Sequence, residues 1–210
     1  MLFRSGRDAI GVQAAERLTA LGLELHVAWR EQPTRRAVSL VDGHGDRSIT
    51  VIGERLSPSA SDPLPWSSLA SCDGVFVTAA DAAALQACRA AALLAATPRL
   101  GLPVLRRAGV RLDALIGSGL DPGEAVPADA LDQQPSLRIA TEGAAGGWAE
   151  PGGRFPAPSL ASPAVDSYGC GDSFAAGVSA GLAAGWSAEQ AISLGAHCGA
   201  ACASRFGPYG

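Results

Sequence analysis

The chain has no lysine and no asparagine, and all 16 of its basic residues are arginine. Any chemistry that needs a lysine is therefore excluded, including the phosphate-binding lysine of a Walker A loop. Basic clusters are missing as well. With 20 acidic residues the formal net charge is -4, which gives no electrostatic reason to expect nucleic acid or an anionic membrane as a partner. The N-terminus lacks the charged-then-apolar pattern of a signal peptide. The most apolar stretch, residues 79–96, carries Asp81, Gln86 and Arg89 and makes a poor membrane span. No close C-x-x-C pair exists among Cys72, Cys88, Cys170, Cys198 and Cys202. Cys198 and Cys202 lie four apart on an expected helix, but His197 points to a different face, so no metal site is expected there. An odd number of cysteines fits reduced thiols, and a cytoplasmic location is expected. Internal repeats are absent.

What is present is ordinary globular material. Hydrophobic residues make up 48% and charged ones 17% of 210 residues, enough for a substantial core in one domain or one domain with a small appendage. Ile10, Ala14, Leu18 and Leu21 recur at helical spacing, with Gly22 as a stop. Residues 23–29 tend toward strand. The runs 36–41 and 47–52 are β-like and are joined by Asp42-Gly43-His44-Gly45-Asp46, a hairpin signal. Residues 57–65, rich in Ser and Pro, read as a loop. Beyond it strands and helices alternate. Strand 74–78 precedes helix 81–95, strand 114–117 precedes helix 122–131, and strand 137–141 leads to a Gly-rich turn over 143–153 with a short hairpin around Trp148. Helices 172–184 and 188–204 close the chain. Such alternation predicts an α/β fold in three layers, a parallel sheet with helices on both faces.

The segment Gly169-Cys170-Gly171-Asp172 sits where an apolar loop turns into a helix whose stripe is Phe174, Val178 and Leu182. N–H groups at a helix start lack intrahelical partners, and the helix dipole is positive there. Glycines at 169 and 171 let the backbone approach an anion closely, so a phosphate is the natural guest. Asp172 has two readings of about equal weight: a helix cap, or a general base that takes a proton from an attacking hydroxyl. The dinucleotide fingerprint is excluded, because it wants a third Gly where Phe174 stands and should follow an early strand.

Asp166-Ser167-Tyr168-Gly169-Cys170-Gly171-Asp172-Ser173-Phe174, with Gly177 beyond, resembles the C-terminal signature of the ribokinase/PfkB carbohydrate kinases, D-T-x-G-A-G-D-x-F followed by a Gly. Thr141-Glu142-Gly143-Ala144-Ala145-Gly146 is similar to that family's T-x-G-x-x-G nucleotide loop, and Asp121-Pro122-Gly123-Glu124 to its N-x-x-E motif. Gly6 to Gly11, the hairpin around residues 42–47, and Arg205-Phe206-Gly207 extend the likeness over nearly the whole chain. The resemblance implies a ribokinase-like kinase domain spanning 1–210, with 36–52 part of a β lid. It implies ATP-dependent transfer of the γ-phosphate to a hydroxyl of a sugar or sugar-like alcohol. Asp172 would be the base, and the N–H groups of Gly169, Cys170 and Gly171 the anion hole. Thr141, Gly143 and Gly146 would hold the nucleotide, with His197 against the adenine. Glu124 and Asp121 would support Mg²⁺ through water, and Asp166 a monovalent cation such as K⁺. Taken singly, Thr141 and Gly143 also read as a strand-to-turn exit, Glu124 as first-turn helix charge, and His197 as a packed helix residue.

Four departures from the family pattern stand out. Asp121 replaces the family's Asn, Cys170 its Ala, and strand 74–78 ends without a polar side chain for the sugar. The family's opening strand with its sugar-binding Asp, and the G-G-x-x-x-N segment, have no counterpart, so the chain is expected to lack the N-terminal sugar site. Two alternatives follow: a kinase-fold protein that binds nucleotide without turnover, and a nucleoside or vitamin-alcohol kinase of the same fold. A homodimer through the lid is a further expectation.

Overall fold

The computed structural model describes residues 1–41, 47–160 and 163–207. The expected hairpin turn at 42–46 lies outside the described residues. Chain contacts divide the protein into two compact units, Met1–Pro65 and Trp66–Gly210.

In the first unit, β1 (Leu2–Gly6) and β2 (His26–Arg30) pair in parallel and are connected by α1 (Ala9–Ala20). The Asp8 side chain caps α1 by accepting from the Gly11 N–H, and it also takes the Thr34 N–H and hydroxyl. These bonds, the Thr34 side chain first, hold its carboxyl below the ordinary range. Asp62 is buried and satisfied: Arg4 donates to both its oxygens, Arg30 pairs with it, and the Ser59 N–H adds a bond at 2.8 Å. Two arginines on neighbouring strands thus tie the loop at 59–62 to β1 and β2. β3 (Arg36–Val41) and β4 (Arg47–Ile52) form a separate antiparallel hairpin. Its strands agree with the sequence reading, whereas β1 is an element the reading did not include.

The second unit is built on a six-stranded sheet in the order β10-β9-β8-β7-β6-β5. Its strands are β5 (Gly74–Val77), β6 (Leu93–Ala96), β7 (Ala114–Ser118), β8 (Leu137–Thr141), β9 (Gly147–Glu150) and β10 (Gly153–Phe155). β5 to β8 are parallel, and the β9–β10 hairpin around Trp148 adds antiparallel strands at one edge. α4 (Cys170–Ala183) and α5 (Ala188–Ala203) cover one face. There Ala95, Ala114, Ile116, Leu137, Ile139 and Ala149 pack against Phe174, Ala175, Val178, Ala191 and Ile192. Leu94, Ala96 and Leu115 alternate to the opposite face. α2 (Ala82–Cys88) and α3 (Leu102–Ala108) flank the sheet there, with Leu85 and Leu105 buried. The architecture is the expected α/β layering, with a mostly parallel sheet between helices.

Two expected helices do not form as read, and α3 is a further element that the reading did not include. The Ala-rich run 81–95 does not form one helix: α2 ends at Cys88, and Leu93–Ala96 becomes a central strand between β5 and β7. Alanine favours helix locally, but a fully buried strand position with ladder partners on both sides outweighs that preference. The break is pinned by Arg89, which donates to the carbonyls of Ala91, Ala92 and Arg111 and to Asp113, while Asp113 accepts the Leu94 N–H. The expected helix 122–131 is only a 3-10 turn, Pro122–Glu124. Glu124 is drawn inward by tertiary partners, and the Val126 carbonyl accepts from Arg138 instead of continuing a helix.

Candidate active site

Three loops leave the C-terminal ends of adjacent parallel strands, the position at which open α/β sheets bind ligands. After β6 comes Thr97, whose hydroxyl accepts the Arg99 N–H and caps a short 3-10 turn, Pro98–Leu100. After β7 come Ser118, Asp121 and Glu124. After β8 come Glu142 and the turn Gly143–Ala145.

The first two loops are joined through Glu124, which is 7% exposed. Its Oε1 accepts from Arg99 Nε at 2.5 Å and its Oε2 from the Ser118 N–H at 2.9 Å. A Cβ at Gly117 would lie 2.8 Å from Glu124 Oε2, so this strand end has room for the carboxylate only because position 117 has no side chain. Asp121 accepts the Gly123 N–H at 2.9 Å and stands 3.6 Å from Arg99 Nη2. The Glu124 hydrogen bond above all holds the Arg99 guanidinium protonated beyond its usual range. Partial burial opposes this, and the charges of Glu124, Asp121 and Asp172 add to it. The sequence reading does not single out Arg99; the Thr97-Pro98 break at the end of an apolar run was the signal that a loop begins there.

In the third loop Thr141 ends β8, paired with Ser118 and Gly147, and its hydroxyl reaches the Gly117 carbonyl at 3.4 Å. Gly143 and Gly146 have positive φ, and the Gly146 N–H closes the turn onto the Gly143 carbonyl. Arg154 on β10 pairs with Glu142 at 2.5 Å.

The Gly-rich turn folds as the start of α4, two residues earlier than expected. Gly169 is the N-cap residue with φ 86°, which an L side chain rarely adopts, and no side chain caps the helix. The Cys170 N–H makes a long bond of 3.4 Å to the Ser167 carbonyl. The N–H groups of Gly171 and Asp172 have no partner among the described residues. Asp172 does not cap the helix; it sits exposed in the first turn. Asp166 braces the loop from outside: Oδ1 accepts the Tyr168 N–H and Oδ2 the Gly207 N–H beyond α5. Burial first, then the neighbouring Cys202 thiol, pushes the Cys170 thiol up to about 11.

Arg99, Asp121, Glu124 and Asp172 thus belong to one electrostatic group, and Thr141 and Gly143 stand on the adjoining strand end. His197 is not drawn into it. Its ring bonds the Ser193 carbonyl at 2.8 Å, in a shallow depression with Trp186, Gln190 and Leu194 on the outer side of α5. Among the described residues no group of three or more His, Cys, Asp or Glu is arranged to hold a metal directly, and no helix is long and apolar enough to cross a membrane.

The fold defines a ribokinase-like α/β protein. Ribokinase from Thermotoga maritima is similar over 98% of this chain and 74% of its own, at 19% identity and a TM-score of 0.73. Ribokinase from Cryptococcus neoformans var. grubii in complex with ADP matches over 98% and 77% of the two chains, at 22% identity and a TM-score of 0.71. The Burkholderia thailandensis nucleoside kinase in complex with inosine matches over 99% and 74%, at 20% identity and a TM-score of 0.68. No curated protein matches the sequence. Residues 112–210 match the pfkB family carbohydrate kinases. That sequence likeness lies in the C-terminal part of the chain, while the ribokinase-like fold extends over nearly all of it.

Proposed function

We propose that the protein is an ATP-dependent carbohydrate kinase that transfers the γ-phosphate to a hydroxyl of a sugar or sugar-like alcohol. One observation carries the reading: the signature forms a helix start without a side-chain cap, where the Gly171 and Asp172 N–H groups have no partner among the described residues and Asp172 is exposed in the same turn. Asp172 accepts the proton of the attacking hydroxyl as its oxygen bonds to the γ-phosphorus and the bond from that phosphorus to the β,γ-bridging oxygen breaks, releasing ADP. The N–H groups of Gly169, Cys170 and Gly171 hold the oxygens of the migrating phosphoryl group, where fixed dipoles act without reorganisation. Thr141, Gly143 and Gly146 border the nucleotide, and His197 the adenine.

Asp121 and Glu124 fit a water-mediated magnesium site. They lie side by side after β7, and each Glu124 oxygen that accepts one N–H keeps a second lone-pair direction. When bound, Mg²⁺ supplies charge neutralisation at the phosphates. Asp166 supports a monovalent cation such as K⁺ from the joint it forms with the Gly207 loop. The whole of 1–210 is read as one cytoplasmic kinase domain, with hairpin β3–β4 as part of a lid that also joins two copies.

The test is ADP release from ATP and Mg²⁺ over a panel of sugars and nucleosides, with and without K⁺. Stimulation by a sugar is expected. A nucleoside acceptor is the second reading, favoured by the similar nucleoside kinase with inosine bound, and stimulation by nucleosides alone would select it. A folded protein that no acceptor stimulates would overturn both.

A further inference from the structure

We propose that Arg154 is a positioning residue of the nucleotide loop, where it pairs with and neutralises the Glu142 carboxylate that would otherwise oppose the phosphates. The inference rests on the kinase reading, which gives neither Arg154 nor Glu142 a part.

Glu142 stands between Thr141 and Gly143, and the turn is shaped through its own backbone. Its N–H donates to the Gly146 carbonyl at 2.7 Å, and its carbonyl accepts the Ala145 N–H at 3.2 Å. Its side chain runs beside the loop after β7, where a Cβ at Gly119 would lie 3.3 Å from Glu142 Cγ. The carboxylate therefore cannot leave the loop without unmaking the turn. A fixed negative charge there opposes any phosphate brought to Thr141, Gly143 and Gly146, and the opposition grows with the charge on the nucleotide. The countercharge comes from β10. Arg154 Nη2 pairs with Glu142 Oε2 at 2.5 Å, and Glu142 is the one acidic partner of Arg154 among the described residues. Arg154 lies opposite Trp148 on β9, so the pair spans from the end of β8 across β9 to β10.

The backbone that carries Arg154 is held without this pair. Phe155 beside it stacks on Phe174 of α4 with ring centroids 5.8 Å apart, and a Cβ at Gly146 would lie 2.1 Å from the Phe155 carbonyl oxygen. Side chains alternate along a strand, so Phe155 serves the core and Arg154 serves the loop from opposite sides of β10. The Arg154 side chain is 64% exposed and that of Glu142 24%. A pair so open adds little to stability, but its balance of charge sets the field at the loop to a degree that salt controls.

The test measures ATP, ADP and AMP binding by calorimetry, at low and high salt, with thermal melts for folding. The full chain is compared with Arg154→Gln, Arg154→Lys, Glu142→Gln and the double variant Glu142→Gln/Arg154→Gln. At low salt Arg154→Gln is expected to weaken ATP about 3- to 10-fold, ADP less and AMP by less than about twofold, with the differences shrinking at high salt. Arg154→Lys keeps the charge and is expected to bind ATP within about twofold of the unaltered protein. Glu142→Gln leaves the arginine charge unanswered and is expected to tighten ATP. The double variant should return to within about twofold of the unaltered protein, because Arg154 acts through Glu142. Should Arg154→Gln not fold, Arg154→Met takes its place, since it keeps the aliphatic stem. Unchanged ATP affinity in a folded Arg154→Gln, equal losses for ATP and AMP, or a double variant as weak as Arg154→Gln would each overturn the proposal while leaving the kinase reading intact. Failure of the unaltered protein to bind any nucleotide would instead remove the kinase reading, and the role of Arg154 with it.

Discussion

Asp172 and Cys170 are neighbours in one helix turn with opposite expected behaviour. Asp172 is exposed and is not used as a cap, so replacing it removes the proposed proton acceptor without removing a capping bond. Asp172→Asn is expected to lower turnover by about 10²- to 10⁴-fold, the usual worth of a positioned base, with ATP affinity unchanged or tighter. Steady-state kinetics alongside calorimetry would check it, and undiminished turnover in a folded variant would refute the base. Cys170, by contrast, is half-buried with its thiol raised to about 11. The thiolate is the reactive form, so at neutral pH the native protein should alkylate slowly at Cys170. The rate should climb about tenfold per pH unit until the pH approaches that value. Mass-spectrometric labelling from pH 7 upward, with the unfolded chain as reference, reads this directly. Fast native labelling at pH 7 would contradict the buried setting.

At the scale of elements, two helices and a hairpin carry distinct expectations. α4 and α5 cross at glycines: a Cβ on Gly177 would lie 2.8 Å from Gly195 Cα and 3.0 Å from the Cys198 sulfur. The glycine that follows the family signature is explained here by close helix approach. Gly177→Ala is expected to cost about 1–3 kcal/mol of stability through overpacking, measured by denaturant unfolding. Leu94 on β6 is 0% exposed, and Leu94→Ala is expected to cost about 2–5 kcal/mol by the same measurement, since a cavity remains. A loss near zero at Leu94 would mean that the central strand is misassigned. The hairpin β3–β4 has exposed apolar residues on both faces, Val38, Leu40 and Ile52 on one and Ile49 and Val51 on the other. A two-stranded ribbon of that composition is marginal alone in water, as the proposed role of a covered lid element would require. Leu40→Glu is expected to reduce self-association in sedimentation experiments, and an unchanged assembly state would exclude pairing through that face.

For the molecule as a whole, the candidate site is a convergence of strand ends, and the proposed magnesium ligands Asp121 and Glu124 lie on one of the loops that meet there. Chelation with EDTA is expected to lower ATP affinity and leave the melting temperature of the nucleotide-free protein unchanged. Equal ATP affinity with and without metal would count against the Asp121–Glu124 assignment. The turn from Gly169 to Asp172 was legible in the amino-acid order because its causes are local: glycines, an apolar stripe at helical spacing and an orphaned helix start lie within a few residues. The strands flanking it were legible for the same reason, as apolar runs bounded by turn residues. β6 was not legible, because alanine's helix preference is local whereas the β5 and β7 ladders that overrule it come from distant chain. Arg99 went unseen with it, since its place beside Glu124 exists only once β6 and β7 lie side by side. Glu124 was visible as a residue, but its burial and its two partners were not. Sequence thus decided the Gly-rich helix start and the family it resembles, through short-range pattern. Tertiary structure decided which charges meet, because hydrogen bonding and Coulombic attraction act across space between loops that are far apart in the chain.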